Sequence, residues 1–177
     1  MLFFNNTLIV ACATIKVNVY FCKMITKENT IDFENSIGPW LGKTVKIIEY
    51  YLQEKFKKHD LDLTKEQMIV LKRLHDKDGL SQNQLAFLTL RNKSSLTRLL
   101  SKMEKKQYIN RKQNKDDKRI NHVYLTGLGK EVFKKTKPVI QEMITKMEQH
   151  ISDSEKQQII KTLKKIQLNF DSEIGSI

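Results

Sequence analysis

The residues best placed for chemistry in this 177-residue chain are cations. Residues 91–119 carry eleven Lys or Arg against three Asp or Glu, whereas residues 24–90 balance at ten of each. The net charge is +12, and two-thirds of that excess falls in these 29 residues. A block so concentrated implies an anionic partner, of which nucleic acid is the commonest. Inside it, residues 94–98 read Ser-Ser-Leu-Thr-Arg. On a helix, Ser94, Ser95, Thr97, Arg98, Ser101, Lys102 and Lys105 share the face away from Leu96, Leu99, Leu100 and Met103. Small hydroxyls at the start of such a helix can approach base edges in the major groove, which admits one helix. The positive end of the helix also favours a phosphate there. A solvated helix face next to a charged loop is the alternative for the same residues.

Other chemistries find little support. No GxSxG, P-loop or HExxH string occurs, and no Cys/His pair has plausible catalytic spacing. Gly127-Leu128-Gly129 is a lone GxG and a weak signal. The four His (59, 75, 122 and 150) show no metal-ligand spacing, so no metal site is expected. An enzyme is therefore not expected, and neither is a cofactor. Two Cys, at positions 12 and 22, form no CxxC pair and no disulfide framework. Six Gly and two Pro favour helices over a loop-rich chain.

Residues 1–23 differ from the rest, being apolar and β-branched. Asn5, Asn6, Lys16 and Asn18 interrupt a span that would need about 20 apolar residues to cross a membrane. Three readings stand: a mis-assigned start with Met24 as the true first residue, a peripheral extension, or an export or membrane signal. A start at Met24 would leave a chain without cysteine.

The elements that must hold the cations follow from periodicity and caps. A first helix is expected over residues 33–58, with Pro39 tolerated near its start. Thr64 with Gln67 forms a capping box for a helix burying Met68, Leu71 and Leu74. Asp78-Gly79 is a turn, and Ser81 with Gln84 caps a short helix carrying Leu85 and Leu88. Asn92 caps the cationic helix, expected over residues 93–106. Residues 108–111 and 121–125 read as two short strands around a polar basic tip at residues 113–118. Thr126 caps a long helix to about residue 149, which Pro138 is expected to kink. Ser152 with Glu155 caps the last one, whose stripe is Ile159, Ile160, Leu163, Ile166 and Phe170.

The fold class expected is mainly α with a small β-hairpin wing: a winged helix-turn-helix with a helical dimerisation module. At this point the sequence resembles the MarR-type transcriptional regulators. The string LTRLLSKMEKKQYINR (residues 96–111) is similar to that family's recognition helix and first wing strand. DDKRINHVYLTGLGKEVF (residues 116–133) is similar to its wing signature, with Asp117, Arg119, Leu125 and Thr126 in the signature positions. One departure is Gln107, where the family usually places Gly after the recognition helix.

The resemblance implies a bacterial, cytoplasmic homodimer that binds double-stranded DNA, with a repressor released by a small aromatic effector as the expected form. It divides the chain into a 24–60 dimerisation helix, a 61–126 DNA-binding domain and 127–177 dimerisation helices. It places Ser94, Ser95, Thr97 and Arg98 near bases and adjacent phosphates, and Lys93 and Lys102 on phosphates. Arg119 would be the wing arginine at the minor groove, oriented by Asp117, with Lys115 and Lys118 on the backbone. Trp40, Tyr50, Tyr51 and His75 are the candidates for an effector cleft, each with core or interface packing as the competing role. Cysteine-based peroxide sensing does not carry over, because the first helix has no Cys. The alternative function is a non-specific architectural DNA-binding protein. A membrane-attached regulator would require residues 1–23 to be translated, and no membrane partner is expected.

Overall fold

In the computed structural model, residues 32–170 are described. The apolar segment 1–23, the start at Met24 and both cysteines lie outside them. The chain divides into two compact units, up to Thr44 and from Val45 onward. The core and the interface treated below belong to the second. Among the described residues no helix is long and apolar enough to cross a membrane.

Helix α1 spans Ile37–Lys58, four residues later than the periodicity suggested. The Asp32 carboxylate explains the delay. It accepts from the Asn35 backbone N–H at 3.0 Å and from Asn35 Nδ2 at 2.7 Å, and this turn replaces a helical first turn. Helix α2 spans Lys65–Asp76 and α3 spans Gln82–Leu88. Both open with complete reciprocal capping boxes, Thr64 with Gln67 and Ser81 with Gln84. Helix α4 spans Lys93–Lys105, capped by Asn92. Helix α5 spans Gly127–Met147 behind the Thr126 cap and runs through Pro138. Helix α6 spans Asp153–Phe170, and Ser152 and Glu155 exchange hydrogen bonds at its start as expected.

The sheet holds one strand more than the sequence suggested. Strand β1 is Leu80–Ser81, β2 is Ile109–Gln113 and β3 is Asn121–Leu125, in the antiparallel order β1-β3-β2. Leu80 pairs with Val123, and Arg111 pairs with Val123 from the other side. Strand β2 starts one residue later than expected and runs two further, so the wing tip is residues 114–120.

Phe56, Val70, Leu71, Leu74, Leu85, Leu100, Met103 and Val123 are fully buried in one core. It joins α1, α2, α3, α4 and the sheet, and α5 adds Phe133 and Val139. Gly129 lets α5 reach this body: a Cβ there would meet the Tyr108 carbonyl oxygen at 2.0 Å. The Thr126 hydroxyl donates to the Gln107 carbonyl at 2.6 Å at the same junction. The start of α5 is thus bolted to the chain leaving α4.

Candidate nucleic-acid interface

Of four left-handed residues that are not glycine among the described ones, His150 (φ 63) lies in the turn before α6, and three end helices: Asp60 (φ 51), Leu90 (φ 50) and Gln107 (φ 58). Each closes a Schellman motif. At Leu90, its N–H donates to Phe87 O at 3.0 Å and Arg91 N–H donates to Ala86 O at 2.9 Å. This is the turn between α3 and α4, and it sets the direction in which α4 leaves. At Gln107, its N–H donates to Glu104 O and Tyr108 N–H to Met103 O, at 2.9 and 3.0 Å. That turn aims β2. The missing glycine therefore leaves the geometry in place and adds only conformational strain.

The first turn of α4 contains no acidic side chain, so its positive end is uncompensated. Asn92 Oδ1 accepts from the Ser95 N–H at 2.8 Å and from the Ser94 hydroxyl at 2.9 Å. Lys93, Ser94, Thr97, Arg98 and Lys102 are exposed, whereas Ser95 is half-buried. The Thr97 hydroxyl donates to Lys93 O at 2.8 Å, which leaves its oxygen lone pairs free to accept. The Ser95 hydroxyl accepts from Arg91 Nη1 at 3.0 Å. An open hollow of about 440 Å³ runs beside this helix start, lined in part by Glu66, Arg91, Ser94, Ser95, Arg98 and Lys102.

The eleven cations of the block fall into two sets. Arg91 sits 3.9 Å from Glu66 on α2. Lys106 pairs with Asp62 at 2.7 Å. Arg111 grips Glu104 through Nη2 at 2.5 Å and Nε at 3.0 Å, and donates to Ser101 Oγ at 3.3 Å. These three hold the fold. The guanidinium beside Glu104 keeps that carboxyl below the usual glutamate range, against a smaller opposing effect of burial. The other eight have no ion pair among the described residues, and all are exposed. They are Lys93, Arg98, Lys102 and Lys105 on α4, Lys112 on β2, and Lys115, Lys118 and Arg119 at the tip.

The wing tip is built on Asn114. Its Oδ1 accepts from the N–H of Asp116 at 2.8 Å and of Asp117 at 3.1 Å. Its backbone N–H donates to Ile120 O at 2.8 Å. Asp117 was expected to orient the Arg119 side chain. Its carboxylate instead accepts the Arg119 backbone N–H at 2.9 Å, so it shapes the turn and leaves the guanidinium free of it.

The four aromatic candidates do not share one role. His75 stacks against Phe133 at 4.7 Å between ring centroids. With Leu74, Asp78, Leu125, Lys130, Lys134 and Lys137, both line an open cavity of about 430 Å³. The Tyr51 hydroxyl donates to Glu142 at 3.2 Å, and Lys55 pairs with the same carboxylate, tying α1 to α5. Tyr50 is exposed. Trp40 belongs to the first unit, where its indole N–H donates to Glu34 O at 2.8 Å. Among the described residues no group of three His, Cys, Asp or Glu could hold a metal ion.

Comparison with known proteins agrees with this arrangement. A sequence model of the MarR family matches residues 63–120. The HTH-type transcriptional regulator SarZ of Staphylococcus haemolyticus is 30% identical over 130 residues, covering 73% of this chain and 83% of SarZ. The transcriptional regulator HosA of Escherichia coli O127:H6 is 34% identical over 82 residues, 46% of this chain. The match spans 61% of HosA's own length. Among solved structures, a mutant MarR from E. coli complexed with operator DNA superposes with a TM-score of 0.66 at 25% identity, covering 77% of this chain and 99% of that one. SarZ and HosA are both named as regulators of transcription. With a relative 30% identical across most of both chains and the family's model matching its helix-turn-helix and the first wing strand and tip, the chain belongs to the MarR family of transcriptional regulators.

Proposed function

We propose that this regulator is a cytoplasmic homodimer that binds a near-palindromic operator and acts as a repressor released by a small effector. One observation carries the DNA-binding part: the eight cations without an ion pair among the described residues are exposed on α4 and the wing, while the three paired ones are half-buried against Glu66, Asp62 and Glu104. In this reading Ser94, Ser95, Thr97 and Arg98 meet bases and adjacent phosphates in the major groove. Lys93, Lys102, Lys115 and Lys118 hold phosphates, and Arg119 enters the minor groove with Asp117 shaping its turn. Residues 61–126 bind DNA, and residues 24–60 and 127–177 pair the two copies. Two recognition helices related by a twofold axis would meet half-sites about one helical turn apart. The cavity beside His75 and Phe133 supports the effector part. Its aromatic wall and three lysines suit an aromatic molecule carrying an acidic group. Release follows if that ligand favours a dimer whose helices no longer match the groove spacing.

The test is fluorescence anisotropy on the DNA upstream of the chain's own gene and on a scrambled duplex, each at two salt concentrations. A specific regulator prefers the upstream DNA by about 1,000-fold or more. Replacing Arg119 by Ala should weaken binding and reduce the logarithmic salt slope by about one, with the dimer intact. Equal, steeply salt-dependent binding to both duplexes would favour the architectural alternative. An effector that leaves affinity unchanged would remove the release step.

A further inference from the structure

His122 has no part in the contacts above, yet both its ring nitrogens are engaged. Nδ1 lies 2.9 Å from the Gly79 carbonyl oxygen, and Nε2 lies 3.2 Å from Asn114 Nδ2. The protonation state follows from the partners. A carbonyl can only accept, so Nδ1 carries the hydrogen. Asn114 Oδ1 already accepts two backbone N–H groups at the tip, so its amide nitrogen must face the ring. Nε2 must then be the acceptor. We infer that His122, neutral and protonated on Nδ1, is the positioning residue of the wing: it holds Asn114, Asn114 holds the tip that carries Lys115, Lys118 and Arg119, and charging the ring releases that tip.

A charged imidazole would present an N–H to the amide NH₂ of Asn114, donor against donor. Flipping the amide does not help, because its NH₂ would then face the N–H groups of Asp116 and Asp117. One hydrogen bond of the relay is lost in either case. The surroundings supply no acceptor in its place. On β1 and α3 there is no charged side chain, and α2 and α5, which carry charged groups, pack against β3 on the face of the buried Val123 and Leu125, opposite to His122 by strand alternation. Strand β2 places Lys112 opposite His122 in register, and its Nζ lies over the Tyr124 ring at 5.5 Å. Asp78, beside Gly79, already accepts from Gly79 N–H at 3.1 Å and Leu125 N–H at 2.9 Å. At the tip, Asp117 accepts the Arg119 N–H, and the Asp116 carboxylate is exposed.

This inference rests on the DNA-binding reading for its functional consequence, and its sign separates it from bulk electrostatics. Adding positive charge near DNA strengthens binding. Charging His122 should weaken it, because the tip loses its shape. The experiment has two arms on the full chain. In the free protein, nitrogen NMR of His122 should show the Nδ1–H form at neutral pH. The amide signals of Asp116 and Asp117 should shift with the ring's titration. In the second arm, affinity for the fluorescent upstream duplex should fall about tenfold from the pH at which NMR shows the ring neutral to the pH at which it shows the ring charged, roughly what one hydrogen bond is worth. His122→Gln cannot titrate and should lose this dependence. Asn114→Asp offers one carboxylate oxygen to the tip and one to Nε2–H, so it suits the charged ring. Its baseline affinity should be lower, but its pH slope should flatten or reverse. A ring in the Nε2–H form, or tip amides indifferent to its titration, would overturn the inference. So would wild-type affinity that falls on acidification no more than that of His122→Gln. No DNA binding at any pH, with the NMR relay intact, would instead count against the DNA-binding reading alone.

Discussion

At the scale of single residues, the turns carry more information than the helices they end. Gln107 is the clearest case. The two hydrogen bonds that close its motif are those a glycine would allow, but its Cβ pays for φ 58 with steric strain. Its side chain makes no hydrogen bond among those described, and the residue is exposed. Gln107→Gly therefore removes strain without removing a contact. Part of that gain is offset by the greater freedom of glycine in the unfolded chain. The expected result is a stabilisation of about 0.5 to 1 kcal/mol, read as a higher denaturant midpoint at unchanged slope. A lower midpoint would mean that Gln107 has a packing role in this turn. Gly79 and Gly129 are the opposite case. A Cβ would strike the Tyr124 ring at 2.8 Å in the first and the Tyr108 backbone at 2.0 Å in the second, so neither tolerates a side chain without movement.

At the scale of elements, what was legible in the sequence was what is local. Thr64, Ser81, Asn92, Thr126 and Ser152 mark their helices because a cap is a hydrogen bond across three residues. The cationic face of α4 was legible for the same reason, through helical period. Strand β1 was not, because two residues cannot show alternation and their partner lies some forty residues away. The helix start at Ile37 was obscured by Phe33, whose spacing fits a helix although Asp32 captures that turn. The sorting of cations into structural and free ones was also hidden, since Arg111 meets Glu104 only after the chain has turned back. That pair fixes β2 against α4 and so the wing against the recognition helix. Its linkage to pH can be signed. The Glu104 carboxyl is held below its ordinary value in the folded state. Its stabilising contribution is therefore complete above the ordinary glutamate range and fades as pH falls through the lowered value. Glu104→Gln should be less stable than the wild type at neutral pH and should lose less stability between about pH 5 and 3. Urea titrations at stepped pH would show this. Parallel losses in both proteins would mean that the pair contributes nothing to the linkage.

At the scale of the whole molecule, helix α6 is the element a single chain does not account for. None of its residues is buried. Ile159 is 49% exposed and Phe170 is 85% exposed, and eleven residues apart they fall on the same face of a helix. An apolar stripe left in water is unusual for a monomer. In the proposed dimer a second copy covers it. Because both side chains are exposed within one chain, charging them costs that chain's own core little. At a subunit interface the same change would bury two unpaired carboxylates per copy, which is strongly unfavourable. Ile159→Glu with Phe170→Glu should therefore keep the helical content of the wild type and sediment as a monomer. The wild type should sediment as a dimer, with an unfolding temperature that rises with protein concentration. Affinity for a two-half-site duplex should drop by about 100-fold or more, because the second recognition helix is no longer tethered to the first. Affinity for a single half-site should barely change. A variant that stays dimeric would move the pairing surface away from α6. One that turns monomeric yet keeps full affinity for the duplex would show that the wing and recognition helix of a single copy suffice.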